Sequence, residues 1–252
     1  MLVGRVVELY AVEGLPLVAA GDDLAGLILA ALSHAAVPLQ DGDIVVIAQK
    51  VVSKAEGRSV ELAAVTPSSR AIEIAAEAHK DPRIVELILA ESNDVLRVRP
   101  GVIIVEHRLG LVLANAGIDR SNVEGETALL LPRDPDGSAE QIRARLVAAT
   151  GAAIGVMIID SIGRAWRNGT IGTTIGASGI ATMRDLRGQP DLFGRKLETT
   201  EVGAADEVAA AASLVMGQAA EATPVVVVRG IDLAGTGTAR DLLRPKHMDM
   251  FR

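Results

Sequence analysis

A chain of 252 residues that is 49% hydrophobic and 23% charged holds enough apolar material for one large core or two smaller ones, and reads as globular. Its net charge of −7, dispersed basic residues, single Trp, single Tyr and two Phe argue against a nucleic-acid binder. A small anion held by local cations, backbone N–H groups or a metal stays open, while the lack of cysteine excludes disulfides, thiolate zinc sites and a cysteine nucleophile.

The opening MLVGRVVELYAVEGLP has no basic start followed by a long apolar core and a cleavage site. The longest apolar run, residues 146–159, is broken by Thr150 and two glycines and falls short of a span. The chain is therefore expected to be soluble and cytoplasmic, with no membrane partner.

In chain order, the turn Gly14, Leu15, Pro16, Leu17 separates an early strand from a helix beginning near Asp22. The β-branched run 44–47 reads as a buried strand, and Gln49, Lys50 and then SKAEGR (residues 53–58) follow it. Thr66-Pro67 and Asp81-Pro82 each set a capping side chain before a proline, which predicts helices over 67–79 and 82–92. Strands 102–105 and 111–113 are joined by HRLG as a hairpin, so the sheet is not purely parallel.

Next comes ANAGIDRSNVEG, residues 114–125. Ser138 with Gln141 forms a capping-box pattern for a helix over 138–149, and strand 156–159 leads into DSIGR. GTIGTTIGASGIA, residues 169–181, is glycine-rich; it suits either amides exposed to an anion or close chain packing, and matches neither dinucleotide nor Walker patterns. An alanine-rich helix over 206–218 and a strand over 225–228 complete a mixed α/β (α+β) fold.

Polar clusters directly after apolar strands are candidate site elements, because strand ends are rigid platforms for loops. Asp119 and Asp160 are the best metal candidates, since hard divalent ions take carboxylate oxygens. Either acid could instead cap its own turn. Lys54 could reach a phosphate as a point charge or be a solvated lysine paired with Glu56. The four histidines form no HExxH and there is no GxSxG; His107, in the hairpin, is the one to revisit. Trp166, between Arg164 and Arg167, suits ring stacking or, more commonly, packing.

Taken together and in order, VEGLPL, VVSKAEGR, NAGIDRSNVE, DPDGSA, IIDSIGRAWRNGTIGTTIGASG, DLFGRKLETTEVGAADEVAAAASLVMGQ and PVVVVRG resemble the coenzyme F420-0:L-glutamate ligase family, from about residue 10 to about residue 232. The resemblance implies an F420 ligase-like fold of mixed sheets, hairpins and flanking helices, assembled as a homodimer. It also implies a GTP-dependent enzyme with two divalent ions, Mg²⁺ or Mn²⁺, and K⁺ as a further candidate. Such an enzyme joins L-glutamate to the lactyl carboxylate of F420-0 through an acyl phosphate and then adds γ-linked glutamate.

Carried over by position, Asp119 and Asp160 would bind one metal, and Ser161 and Gln218 would bear on a second. Asn122, Lys54, the turn Gly14 to Leu17 and the segment from Met216 and Gly217 to Thr223 would contact GTP. Gln49 and Lys50 stand where some relatives carry small hydroxyl residues, so a GTP contact is expected there without a fixed geometry. Asp119, Asp160 and Lys54 would carry the catalysis. The base for the glutamate amine stays unassigned between a carboxylate such as Glu207 and a metal-bound water.

The whole of 1–252 is expected to form one ligase unit, two-lobed at most. Because the chain ends at Arg252, the fused flavin reductase module of some bacterial relatives is expected to be absent. The rival readings are a ligase of the same scaffold acting on another acidic cofactor precursor, and a GTP-binding sensor without turnover.

Overall fold

The computed structural model describes residues 6–121 and 125–250. Its first half runs β1 (Glu8–Ala11), α1 (Leu24–His34), β2 (Ile44–Ala48), α2 (Gln49–Ala55), β3 (Ser59–Glu61), α3 (Ser69–Ala78), α4 (Pro82–Ala90), β4 (Ser92–Arg99), β5 (Val102–His107) and β6 (Val112–Ala114). The second half runs β7 (Thr127–Leu129), α5 (Pro135–Thr150), β8 (Gly155–Arg164), β9 (Arg167–Ser178), β10 (Arg184–Asp185), β11 (Glu201–Val202), α6 (Ala204–Met216) and β12 (Val225–Arg229).

The main sheet has the order β1-β12-β2-β8-β9. Only β2 and β8 are parallel; the other neighbours are antiparallel. Strand alternation divides its central residues between two faces. Val45, Ile47, Val156, Ile158, Val225 and Val227 pack into a core with α1 and α5, while Ile44, Val46, Met157, Ile159, Val226 and Val228 meet α6. Burial on both faces explains why these strands read as continuous β-branched runs. A further core gathers Ala71, Ala75, Val85 and Ile88 of α3 and α4 against Ile103 and Val105 of the sheet β4-β5-β6.

The mixed α/β fold and the hairpin of β5 and β6 agree with the sequence reading. Several boundaries do not. Ser68, not Thr66, caps α3, through Ala71 N–H at 3.2 Å. Asp134 caps α5 one turn before the Ser138 pattern, with Pro135 in its first turn, and the Ser138 hydroxyl instead donates to Glu56 Oε1 at 2.6 Å. An aspartate followed by proline is the stronger start, because the ring presets φ and removes an N–H that would lack a partner. The alanine-rich helix is Ala204–Met216, two residues earlier at each end than expected.

The largest correction concerns residues 160–181. Asp160 and Ser161 lie inside β8, not in a loop after it, and the glycine-rich segment is mostly β9. Its glycines serve close packing: a Cβ on Gly172 would stand 2.3 Å from the Ala209 carbonyl oxygen of α6, and one on Gly176 would stand 2.4 Å from that of Pro135 in α5. Both helices therefore sit against a strand that offers no side chain there. Trp166, for which ring stacking and the commoner packing were both open, is 87% exposed at the turn between β8 and β9, with φ of 65°, so it does not pack into the core.

Candidate active site at one end of the main sheet

Four chain segments meet at the same end of the main sheet. Ala48 pairs with Ile159 at the end of the parallel ladder, so Gln49, the first residue of α2, and Asp160, within β8, follow side by side. Ala48 N–H donates to Pro224 O at 2.8 Å, and Val12 N–H donates to Val225 O at 2.9 Å. The loops 12–23 and 217–224 thus border the point where β2 turns directly into α2. That helix was missed in the sequence because seven residues give too little periodicity.

Asp119 is delivered by an unusual turn. Asn115, Ala116 and Gly117 have successive positive φ values of 52°, 53° and 65°. Asn and Gly tolerate this region, whereas the buried Ala116 is strained there. Asn115 Oδ1 accepts from Ile103 N–H at 3.1 Å, and a Cβ at Gly117 would lie 2.9 Å from Leu131. Asp119 then bonds to Leu129 in both directions, Asp119 N–H to Leu129 O at 3.0 Å and Leu129 N–H to Asp119 O at 2.9 Å. Its backbone is fixed and its carboxylate is free to face the sheet end.

Lys50 Nζ lies 2.6 Å from Asp119 Oδ2 and donates to Ser121 Oγ at 2.7 Å. Ser121 N–H donates to Asp119 Oδ1 at 2.6 Å, so the turn-capping role weighed for Asp119 coexists with the ion pair. Burial pushes the Asp119 carboxyl upward, but Lys50 and Ser121 overcome it and hold the group below its ordinary value.

Asp160 goes the other way. Burial raises its pKa most, the Ser161 N–H opposes this, and the Asp119 charge raises it further against Lys50 and Gln49. Part of its surface is still open to solvent. Gln49 Oε1 accepts from Ser53 Oγ at 2.8 Å, which turns Nε2 toward Asp160, where it remains buried without a completed hydrogen bond.

Ser161 Oγ donates to Gln218 Oε1 at 2.5 Å, which joins β8 to the segment after α6. That segment turns at Gly217, φ 76°, and is closed by Thr223 Oγ1 donating to Met216 O at 2.9 Å. Lys54 lies one turn beyond Lys50 on α2 and is partly exposed. Gly21 N–H donates to Ala55 O at 2.9 Å, which ties the loop containing Gly14, Leu15, Pro16 and Leu17 to the far end of α2. Within that loop Leu15 packs on the core, whereas Leu17 is 91% exposed.

Asn122 lies outside the described residues. Glu207 is in the first turn of α6, at the opposite end from Met216, roughly 14 Å away at the helical rise per residue. It does not join the cluster. Ser121 was not singled out in the sequence, and the Lys50–Asp119 pair has no local signal because its partners come from distant segments.

The residues fit a hard divalent ion. Two carboxylates are close enough to repel, the more deeply set one is disfavoured as an anion, and Lys50 already places a cation on the other. Among the described residues no group of three His, Asp or Glu side chains converges. Oxygen atoms from Ser161, Gln218, water or phosphate would therefore complete the coordination of any ion held by Asp119 and Asp160.

A family model described as F420-0:Gamma-glutamyl ligase matches residues 14–230. The chain belongs to that family. Coenzyme F420:L-glutamate ligase of Methanothermobacter thermautotrophicus is 51% identical over 249 residues, 98% of this chain and 99% of the relative. The enzyme of that name from Archaeoglobus fulgidus is 46% identical over 246 residues, 98% of this chain and 96% of the relative. The one from Methanocaldococcus jannaschii is 47% identical over 216 residues, 85% of this chain and 86% of the relative. Within this ligase family, the matched span includes every candidate site residue from Gly14 to Gln218.

Proposed function

We propose that this F420 ligase-family chain joins L-glutamate to the lactyl carboxylate of F420-0 at the expense of GTP, and then adds further glutamate through γ-linkages. The observation that carries the reading is the convergence of Asp119, Asp160, Lys50, Ser161 and Gln218 at the end of the parallel strand pair. A carboxylate is a poor acyl donor at neutral pH. Transfer of the γ-phosphoryl group to the lactyl carboxylate oxygen, with GDP leaving, makes an acyl phosphate. The glutamate amine then attacks the carbonyl carbon, the C–N bond forms, phosphate departs with the C–O bond, and the amine gives up a proton.

When bound, divalent ions, Mg²⁺ or Mn²⁺ with K⁺ as a further candidate, neutralise phosphate charge and align the transferring group. Asp119 and Asp160 would hold the first and Ser161 with Gln218 would border the second. Lys50 and Lys54, on one face of α2, supply positive charge toward the phosphates. Gln49 offers its orphaned amide N–H to an acceptor near Asp160. The loop from Gly14 to Leu17 and the segment from Met216 to Thr223 would border the nucleotide, because both leave the same sheet end.

Asp119→Asn or Asp160→Asn should lower turnover by three orders of magnitude or so while leaving far-ultraviolet circular dichroism unchanged. Near-normal activity in either variant contradicts the metal assignment. We read the two groups of cores as lobes of one ligase unit, assembled as a homodimer. Exposed Trp166, Leu192, Phe193 and Leu214 are apolar surface of the kind an interface covers. Sedimentation at micromolar concentration should give twice the chain mass, and a strict monomer would remove this part of the reading. No described helix is long and apolar enough to cross a membrane.

A further inference from the structure

A polar cavity, partly open to the surface, lies apart from the sheet-end cluster. It has a volume of about 230 Å³ and is lined by Arg58, Glu91, His107, Arg108, Leu109, Pro132 and Arg133. That is several times the roughly 30 Å³ share of a water molecule. None of the residues assigned above to metal or GTP lines it.

Three guanidiniums face one carboxylate here. Arg58 is fixed: its Nε donates to Leu131 O at 2.8 Å and its Nη2 to Glu91 Oε2 at 2.6 Å. Arg108 and Arg133 are exposed, and neither side chain makes a hydrogen bond or salt bridge to another described residue. Their backbones are anchored, Arg108 N–H to Glu91 O at 3.0 Å and Arg133 N–H to Glu56 Oε2 at 3.0 Å. Glu56 is occupied by that contact and by Ser138, and does not line the cavity.

The independent sign of a ligand is His107. Its residue is 2% exposed and its ring forms part of the wall. Nδ1 accepts from Leu109 N–H at 3.0 Å, so in the neutral ring the proton sits on Nε2. That nitrogen faces Glu91 Oε2 at 3.6 Å, a long polar contact short of a full hydrogen bond, and it has no other partner. A buried N–H donor is thus left turned toward an acidic wall residue whose nearer oxygen is already taken by Arg58. Solvated surface arginines alone would not require such an arrangement.

We propose that this cavity binds a small dianion, held by Arg108 and Arg133 against the fixed Arg58, with Glu91 and His107 as its floor. Three positive charges against one negative leave a surplus of two, which matches a hydrogen phosphate or a short dicarboxylate and disfavours a single carboxylate. Planar guanidinium forks suit either group, because each presents paired oxygens. The site stands whether or not the ligase reading is correct.

The test is a titration of the ¹⁵N-histidine-labelled full chain, free of metal and GTP, with inorganic phosphate, malonate and acetate in turn. Resonances are assigned with His107→Gln. The unbound ring should show the Nε2–H tautomer, and phosphate or malonate should shift the His107 signals saturably. Acetate should bind about tenfold more weakly. Arg108→Ala/Arg133→Ala should abolish the shift while Lys54→Ala keeps it. A response to malonate alone identifies a dicarboxylate site, and a response to phosphate alone an oxyanion site. No saturable shift with either dianion, or a shift that survives the double arginine variant, overturns the proposal.

Discussion

Asp160 is set where burial disfavours an anion. Its folded pKa lies above the ordinary aspartate value of 3.8, chiefly through burial, with Asp119 adding to it. An acid with a raised folded pKa penalises the folded chain once ionised, so stability is lost as pH rises through that folded pKa, and no penalty exists well below 3.8. Asp160→Asn removes the charge while keeping an oxygen for the Ser161 N–H. It should therefore melt about 2–4 °C higher than the parent at neutral pH without metal, with the gap closing in acid. Mn²⁺ should raise the melting temperature of the parent and not of the variant. A lower neutral melting temperature for Asp160→Asn would mean that the carboxylate is satisfied without a cation.

At the scale of elements, β9 decides how closely the helices approach the main sheet. Gly172 meets α6 and Gly176 meets α5 at backbone, not at flexible side-chain ends, so neither contact can give way by a rotamer change. Gly176→Ala should cost about 1–3 kcal/mol in denaturant unfolding with an unchanged slope. An unchanged midpoint would show that α5 can shift freely. Close packing was one of the two roles open to these glycines in the sequence, whereas their place in a strand was not foreseen. Four small residues at spacings of three and four resemble a loop signature until the strand hydrogen bonds are seen, and nothing local announces that two helices will press on them. In β2, β8 and β12 the signal was legible, because strands buried on both faces must be apolar throughout.

Across the whole molecule, Arg58 and Glu91 tie the α3–α4 core to the main sheet's neighbourhood, with side chains 12% and 14% exposed. Glu91 is held below its ordinary value of 4.5, first by His107 and, against burial, by Arg58. A depressed carboxylate contributes stability that is complete above 4.5 and is lost as pH falls through the folded value. Glu91→Gln should therefore lower stability at neutral pH and flatten its decline in acid. An acid limb as steep as the parent's would remove Glu91 from that role.

The fold class and the hairpin of β5 and β6 were legible in the sequence, and Asp119 and Asp160 stood out there by residue type, though Asp160 lies within β8 and not after it. What was not legible is tertiary. Lys50 and Ser121, 71 residues apart, meet only because α2 follows β2 without a loop and the turn at Ala116 bends the chain back toward it. Glu207 illustrates the converse. A carboxylate on the right helix was a fair candidate by type, and the helix places it at the wrong end.

The most direct test of the account is incubation of the purified protein with F420-0, L-glutamate, GTP and Mn²⁺, followed by mass spectrometry, with each component omitted in turn. The account predicts glutamyl mass increments on F420-0 that require all four and are absent with Asp119→Asn. Increments that persist without GTP or metal would contradict the acyl phosphate route. No increment, with GTP still bound, would contradict F420-0 as the acceptor.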